Sequence, residues 1–262
     1  MKIGVIGNGY VGNAVAKGFT QLGDDVAIWD CLKDRATHTL LQTCSRDIVF
    51  CCVPTPTEEG QQDISNVKEV ISSIAQMNPK AIVIMKSTVL PGTSALLEQD
   101  YGVTIISNPE FLTARTAEQD FQDPMSIVIG HTDVAMQKRV SRFYEERFPE
   151  VPLLVCSSQT EAEFIKYARN TFFALKVGYM NQLYDLAASL GVPWEPVKNG
   201  MVASGWVSPM HTLVPGPDGK RGFGGACLPK DSEALVAFSW EQQEPLTILE
   251  AALIANKRVR ED

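Results

Sequence analysis

The segment Gly222-Phe-Gly-Gly-Ala-Cys-Leu-Pro-Lys-Asp231 places one thiol, Cys227, between glycines that let a ligand approach the backbone and a Lys230–Asp231 pair three and four residues on. A cation and a carboxylate that close to a sulfur are what an activated nucleophile with a water-activating neighbour needs. The same residue also reads as a small apolar cysteine filling a loop, and the local sequence leaves both readings open. A second pair, Lys166 and Asn170, lies in a long proline-free stretch from Thr160 to Leu190. Their i,i+4 spacing puts both on one face of a helix. A lysine on an apolar helix is costly to bury without a partner or a task. It either stabilises a developing oxyanion, acts as a base, or snorkels to a surface.

Phosphate chemistry is written at the other end of the chain. Gly7-Asn-Gly-Tyr-Val-Gly12 follows a strand-like run, Lys2–Ile6, and opens a helix-like one, which gives the G-x-G-x-x-G pattern its meaning. The first glycine permits a tight turn, the second lets amides approach a pyrophosphate at the helix start, and the third allows close helix–strand packing. Gly7, Gly9, Tyr10, Val11 and Gly12 are therefore candidate cofactor-binding residues. Asp30 lies 18 residues beyond Gly12, where a carboxylate holds both hydroxyls of an adenosine ribose. A 2′-phosphate would be repelled there, which favours NAD over NADP, although Lys33 and Arg35 keep the second cofactor open. Three strand-end loops, Pro54-Thr-Pro-Thr57, Ser87-Thr-Val-Leu-Pro-Gly92 and Asn108-Pro-Glu-Phe111, fall on the same expected sheet edge and suggest a lined crevice. Thr57, Thr88 and Arg35 join the candidate cofactor contacts.

These residues need a scaffold, and the apolar patterning supplies one. Short β-branched runs at 2–6, 26–29, 48–52, 81–85, 103–106, 126–129 and 153–155 alternate with amphipathic segments near 10–22, 64–77 and 132–146. That alternation specifies an α/β fold with a Rossmann-type, doubly wound parallel sheet. Runs such as Ile48-Val-Phe-Cys-Cys52 are apolar without alternation, as strands covered on both faces are. The stretch 160–190 reads as one helix, apolar on most sides and so expected to be buried. A loop-rich region, 191–230, and a last helix, 246–260, complete an all-helical second domain. The predicted boundaries are 1–157 for the dinucleotide domain and 158–262 for the helical domain. A length of 262 residues with 45% apolar content supports two cores, and a net charge of −8 argues against sequence-independent binding of nucleic acid. No apolar stretch reaches 15 residues, so a soluble, cytoplasmic protein is expected. Six irregularly spaced cysteines and three scattered histidines predict free thiols and no metal site.

Taken in order, Gly7–Gly12, Cys52-Val-Pro-Thr-Pro-Thr57, Lys86-Ser-Thr-Val-Leu-Pro-Gly92, Asn108-Pro-Glu-Phe-Leu112, Lys166 with Asn170, and Phe223–Asp231 resemble the UDP-glucose/GDP-mannose dehydrogenase family over nearly the whole chain. The resemblance implies an NAD-dependent, four-electron oxidation of a nucleotide sugar at its C6 alcohol, with UDP-glucose the preferred substrate. It implies that Cys227 captures the intermediate aldehyde as a thiohemiacetal that becomes a thioester. In that scheme Lys166 and Asn170 hold the oxyanion, Asp231 and Thr88 position or activate water, and Glu110 assists proton transfer or hydrolysis. Phe111, Leu112, Gly224 and the neighbouring Glu110, Lys166 and Asn170 would contact the sugar nucleotide, and Lys230 would reach the cofactor. The resemblance also implies a homodimer built on the helical domain, and a third, Rossmann-like domain that these 262 residues do not include. Two departures stand out. Thr113-Ala-Arg-Thr116 replaces an acidic residue and a glycine, and the arginine expected before the glycine-rich loop falls near Trp206, leaving Arg221 as a substitute anion partner. The competing readings are a two-electron dehydrogenase of the 6-phosphogluconate or β-hydroxyacid type and a non-catalytic NAD or nucleotide-sugar binding protein.

Overall fold

The computed structural model describes residues 1–260. In chain order the elements are β1 (Lys2–Ile6), α1 (Tyr10–Gln21), β2 (Asp25–Trp29), α2 (Leu40–Cys44), β3 (Ile48–Cys51), β4 (Thr57–Glu58), β5 (Gln61–Gln62), α3 (Ser65–Met77), β6 (Ile82–Met85), α4 (Thr93–Tyr101), β7 (Thr104–Ser107), α5 (Ala117–Gln122), β8 (Ile127–Gly130), α6 (Val134–Glu145), β9 (Leu153–Cys156), α7 (Gln159–Ser189), α8 (Trp194–Ala203), α9 (Leu228–Glu241) and α10 (Thr247–Val259). They divide into two compact units. The first comprises Met1–Pro56 and Gln62–Lys166, the second Thr57–Gln61 and the chain from Tyr167 onward. The division therefore falls inside α7, nine residues past the predicted boundary at 157.

In the first unit seven strands form one sheet in the order β2-β1-β3-β6-β7-β8-β9. Neighbours are parallel except β7 and β8, which meet antiparallel through Ser107 and Gly130, so the sheet is mostly rather than wholly parallel. β3, β6 and β8 are buried at every position, as apolar runs without alternation demand. Along β3 the side chains alternate between two cores. Ile48 and Phe50 join a cluster with Phe19, Phe121, Phe143 and Phe148, while Val49 and Cys51 join Ile71, Ile74, Val83 and Ile105. Strand order reverses between β1 and β3, the point at which such sheets open a crevice beyond their carboxyl ends. α1 lies close on its neighbours because Gly18 has no side chain: a Cβ there would collide with the Phe121 ring.

The second unit is helical. Met180, Ala187, Trp194 and Val214 form its core, with Leu183, Tyr184 and Val197 packed against it. Two expectations need correction here. Region 191–230 is not all loop: α8 forms despite Pro196, because proline in a first helical turn sacrifices no needed N–H, and Cys227 lies at the start of the unpredicted α9. Nor is α7 buried all round. Phe172, Tyr179 and Leu186, spaced by seven residues, form a stripe between 54% and 60% exposed. All six cysteines are free, and no helix among the described residues is long and apolar enough to cross a membrane.

Candidate active site

The crevice edge of the first unit uses its three fingerprint glycines in three ways. Gly7 has φ of 90°, and a Cβ on it would come within 2.8 Å of the Cys52 carbonyl oxygen. Gly12 could carry no Cβ without striking the Gly7 carbonyl, whereas nothing lies within 4 Å of the position a Gly9 Cβ would take. Gly9 is the N-cap of α1, a helix with no side-chain cap and no acidic residue in its first turn. Its leading N–H groups are thus left for an anion to satisfy. Asp30 directly follows β2, with one carboxylate oxygen accepting from the Asn8 amide at 2.6 Å and the other from the Leu32 amide at 2.9 Å. Burial pushes its pKa up, but those amides, the Cys31 thiol and the nearby Arg35 charge together hold it below the ordinary carboxylate value. A cavity of about 640 Å³ opens beside this edge, lined by Asn8, Gly9, Tyr10, Asn13, Arg35 and residues 114–119. An uncapped helix start, an open glycine and an ionised carboxylate at the end of the second strand fit a dinucleotide. Val11 instead turns partly into the core.

The same unit carries a buried polar cluster. Lys166, 4% exposed, donates from Nζ to the Glu110 backbone oxygen at 2.6 Å and to Glu110 Oε1 at 3.0 Å, and its ammonium lies 5.6 Å from the Phe111 ring centroid. Lys166 is therefore partnered rather than snorkelling. Glu110 Oε2 accepts from the Leu112 amide, and the Leu112 side chain packs on the core, so Leu112 supports the loop from within. Thr88, Ser107, Glu163 and Lys166 share the wall of a small hollow of about 10 Å³, close to the size of one water. The Thr88 carbonyl is held by Thr55 Oγ1 at 2.6 Å and Gln62 Nε2 at 3.0 Å. Lys86, Asn108, Tyr144 and Glu163 were given no role of their own by the sequence reading. Lys86 donates to Asn108 Oδ1 at 3.0 Å, an oxygen that also accepts from Tyr144 OH at 2.6 Å. Burial lowers the Lys86 pKa to about 8, with Lys166 adding to the effect and Cys52 and Glu110 opposing it. Glu163, one turn before Lys166, accepts from the Gly92 and Ser94 amides and the Ser107 hydroxyl.

In the second unit, Cys227 is the N-cap of α9, half-buried and without a side-chain cap bond. One turn on, Asp231 is 1% exposed; its Oδ2 accepts from Asn170 Nδ2 and its Oδ1 from Lys230 Nζ, both at 2.6 Å. Thiol, carboxylate and ammonium thus share the start of α9, and an amide reaches the carboxylate from α7. Lys230, expected to reach a cofactor, is held by its sequence neighbour. Thr57 begins β4, and its hydroxyl oxygen is buried without a hydrogen bond among the described residues. The glycine-rich loop is fastened from α10. Asn256 accepts from the Phe223 amide at 2.7 Å and donates to its carbonyl at 2.8 Å, and a Cβ on Gly222 would strike its oxygen. The Arg260 guanidinium occupies the space a Gly224 side chain would need, so that glycine serves packing within the unit. Arg221 is likewise engaged, with Asp185 at 2.8 Å, the Asn181 oxygens and the Tyr184 ring. Asn256 sits on an otherwise aliphatic helix face, and that lone amide was the available signal.

Comparison with known proteins agrees with the geometry. Residues 35–148 match the UDP-glucose/GDP-mannose dehydrogenase family, NAD binding domain, and residues 160–258 match the central domain of the same family. A UDP-glucose 6-dehydrogenase of Pseudomonas aeruginosa is 30% identical across all of this chain and 66% of its own length. UDP-glucose 6-dehydrogenase AglM of Haloferax volcanii is 31% identical over 98% of this chain and 69% of its own. A solved UDP-glucose dehydrogenase from the archaeon Pyrobaculum islandicum superposes with a TM-score of 0.87 at 28% identity, covering 98% of this chain and 68% of that one. The chain belongs to the UDP-glucose/GDP-mannose dehydrogenase family, with its NAD-binding and central domains, and spans about two thirds of the length of these relatives.

Proposed function

We propose that the protein oxidises the C6 alcohol of a nucleotide sugar, UDP-glucose first among the choices, to the uronate with two equivalents of NAD. The observation that carries this reading is the Cys227–Lys230–Asp231 group at the start of α9, with Asn170 of α7 bonded to its carboxylate, in a chain of this family. Simple alcohol oxidation needs only a base and an oxyanion partner; going on to the acid needs a nucleophile that turns the aldehyde into a tetrahedral adduct. Gly7–Gly12 and Asp30 would hold NAD, which would supply the hydride acceptor. Lys166 holds the substrate oxygen as charge develops on it, and Glu110, in contact with that ammonium, takes up the proton. Cys227 Sγ adds to the aldehyde carbon. Asn170 stabilises the resulting oxyanion, and the α9 N-terminus lies where that charge forms. Loss of a second hydride from that adduct leaves a thioester, and Asp231 orients the water that releases the acid from it. The active form is proposed to be a homodimer joined through the exposed Phe172, Tyr179 and Leu186 stripe.

NADH release, measured with UDP-glucose, GDP-mannose and N-acetylated UDP-hexosamines at saturating NAD, tests the reading. Two NADH per sugar supports it. One per substrate would mean two-electron chemistry, and none, despite measurable NAD binding, would make the chain a binding protein. Sedimentation of the free chain tests the dimer.

A further inference from the structure

Arg115 lines the 640 Å³ cavity together with Gly9 and Arg35, yet it forms no ion pair among the described residues and is exposed. The acidic groups near it are committed. Glu118 pairs with Lys17, and Asp120 Oδ2 accepts from the Thr113 amide at 2.7 Å and the Thr116 hydroxyl at 3.0 Å. The Thr116 amide also bonds the Thr113 carbonyl at 2.9 Å, so residues 113–116 form a turn clasped at both ends with Arg115 displayed on it. A guanidinium held ready beside the uncapped start of α1 matches the fork geometry of a phosphate. We propose that Arg115 is a phosphate-binding residue of this cavity, a second cation beside Arg35 that grips the pyrophosphate of the dinucleotide. The inference rests on the cavity being the cofactor site.

Calorimetric titration of the whole chain with NAD, ADP-ribose, adenosine and UDP separates the possibilities without requiring turnover. Arg115→Ala should weaken NAD and ADP-ribose about tenfold, as loss of one charge-assisted hydrogen-bonding partner does, and leave adenosine and UDP unchanged. The dependence of NAD affinity on salt should fall with it. Arg115→Lys, which keeps the charge and loses the fork, should fall between. Equal ADP-ribose affinity in Arg115→Ala and the wild type would overturn the proposal. So would an equal loss for adenosine, which would put Arg115 on the nucleoside, or a loss for UDP alone, which would put it on the substrate nucleotide. A wild-type chain that binds neither NAD nor ADP-ribose would overturn the cofactor assignment and the inference with it.

Discussion

Replacing Lys86 by methionine should stabilise the protein at neutral pH, and the gain should disappear at high pH. Lys86 is 9% exposed, and its ammonium has Asn108 Oδ1, not a carboxylate, within hydrogen-bond distance at 3.0 Å. Burial brings its pKa from 10.5 to about 8, a difference worth about 3 kcal/mol of preference against the charged form on folding. Below pH 8 both folded and unfolded chains carry the proton, so the penalty is fully present. Between pH 8 and 10.5 the unfolded chain binds more protons than the folded one, and stability rises with pH. Methionine fills a similar volume without the charge, and Asn108 Oδ1 keeps its bond from Tyr144 OH, so no acceptor is orphaned. Losing the Lys86 hydrogen bond costs about 1 kcal/mol, which leaves a net gain of about 2 kcal/mol at pH 7. Urea unfolding of both proteins, followed by tryptophan fluorescence from pH 7 to 10.5, reads the gap directly. A gap that stays constant over that range, or a Lys86→Met protein less stable at pH 7, would refute the reasoning and mean that the ammonium is stabilised by its surroundings.

Cys227→Ser should leave NAD affinity at the wild-type value while uronate production falls at least a hundredfold, with an enzyme-bound intermediate in a quenched single-turnover reaction; full uronate output would sink the covalent scheme. Asp30→Ala should narrow the preference for NAD over NADP, measured as a ratio of dissociation constants, by about tenfold, since the carboxylate that repels a 2′-phosphate is gone. Asp24, bonded to Arg147 at 2.7 and 2.8 Å and to the N-terminal ammonium at 2.8 Å, has its pKa lowered by those cations against the opposing effect of burial. Asp24→Asn should therefore cost about 3 kcal/mol at pH 7 in a urea titration, and the difference from wild type should shrink as acid protonates the native carboxylate below pH 4.

How far the chain announces its own fold varies with how local each instruction is. β1, α1 and Asp30 were legible because a strand, a helix and a glycine turn each depend on near neighbours, and Gly7 and Gly12 make the tight turn and the close packing that their spacing promised. α4 was not, since it begins at Gly92 in the left-handed region and its leading amides are capped by Glu163, more than sixty residues away. α9 was hidden by the glycine-rich loop that precedes it, although Pro229 in its first turn is a residue that helix starts favour. The antiparallel β7–β8 contact likewise has no signature in either strand, because direction is set by the connection between them.

The candidate site divides along the same line. Lys166 and Asn170 share one helix face by spacing alone, but their partners, Glu110 and Asp231, lie 56 and 61 residues away, and only folding reveals that each polar group is satisfied. That satisfaction bears on chemistry. Lys166 is already bonded to Glu110, so in the proposed reaction a substrate oxygen would compete for a donor that is in place rather than recruit one from solvent, which would lower the reorganisation needed as charge develops. Asp231 is similarly held by Asn170 and Lys230 on its two oxygens. Removing either donor would leave a buried carboxylate short of a partner and free to turn toward the other. Asn170→Ala should thus disturb Asp231 as much as it removes an amide, and its defect should be far less than additive with that of Asp231→Asn in a double-mutant cycle read by turnover. Fully additive losses would show that the two residues act independently, and the hydrogen bond between them would then have no part in the reaction.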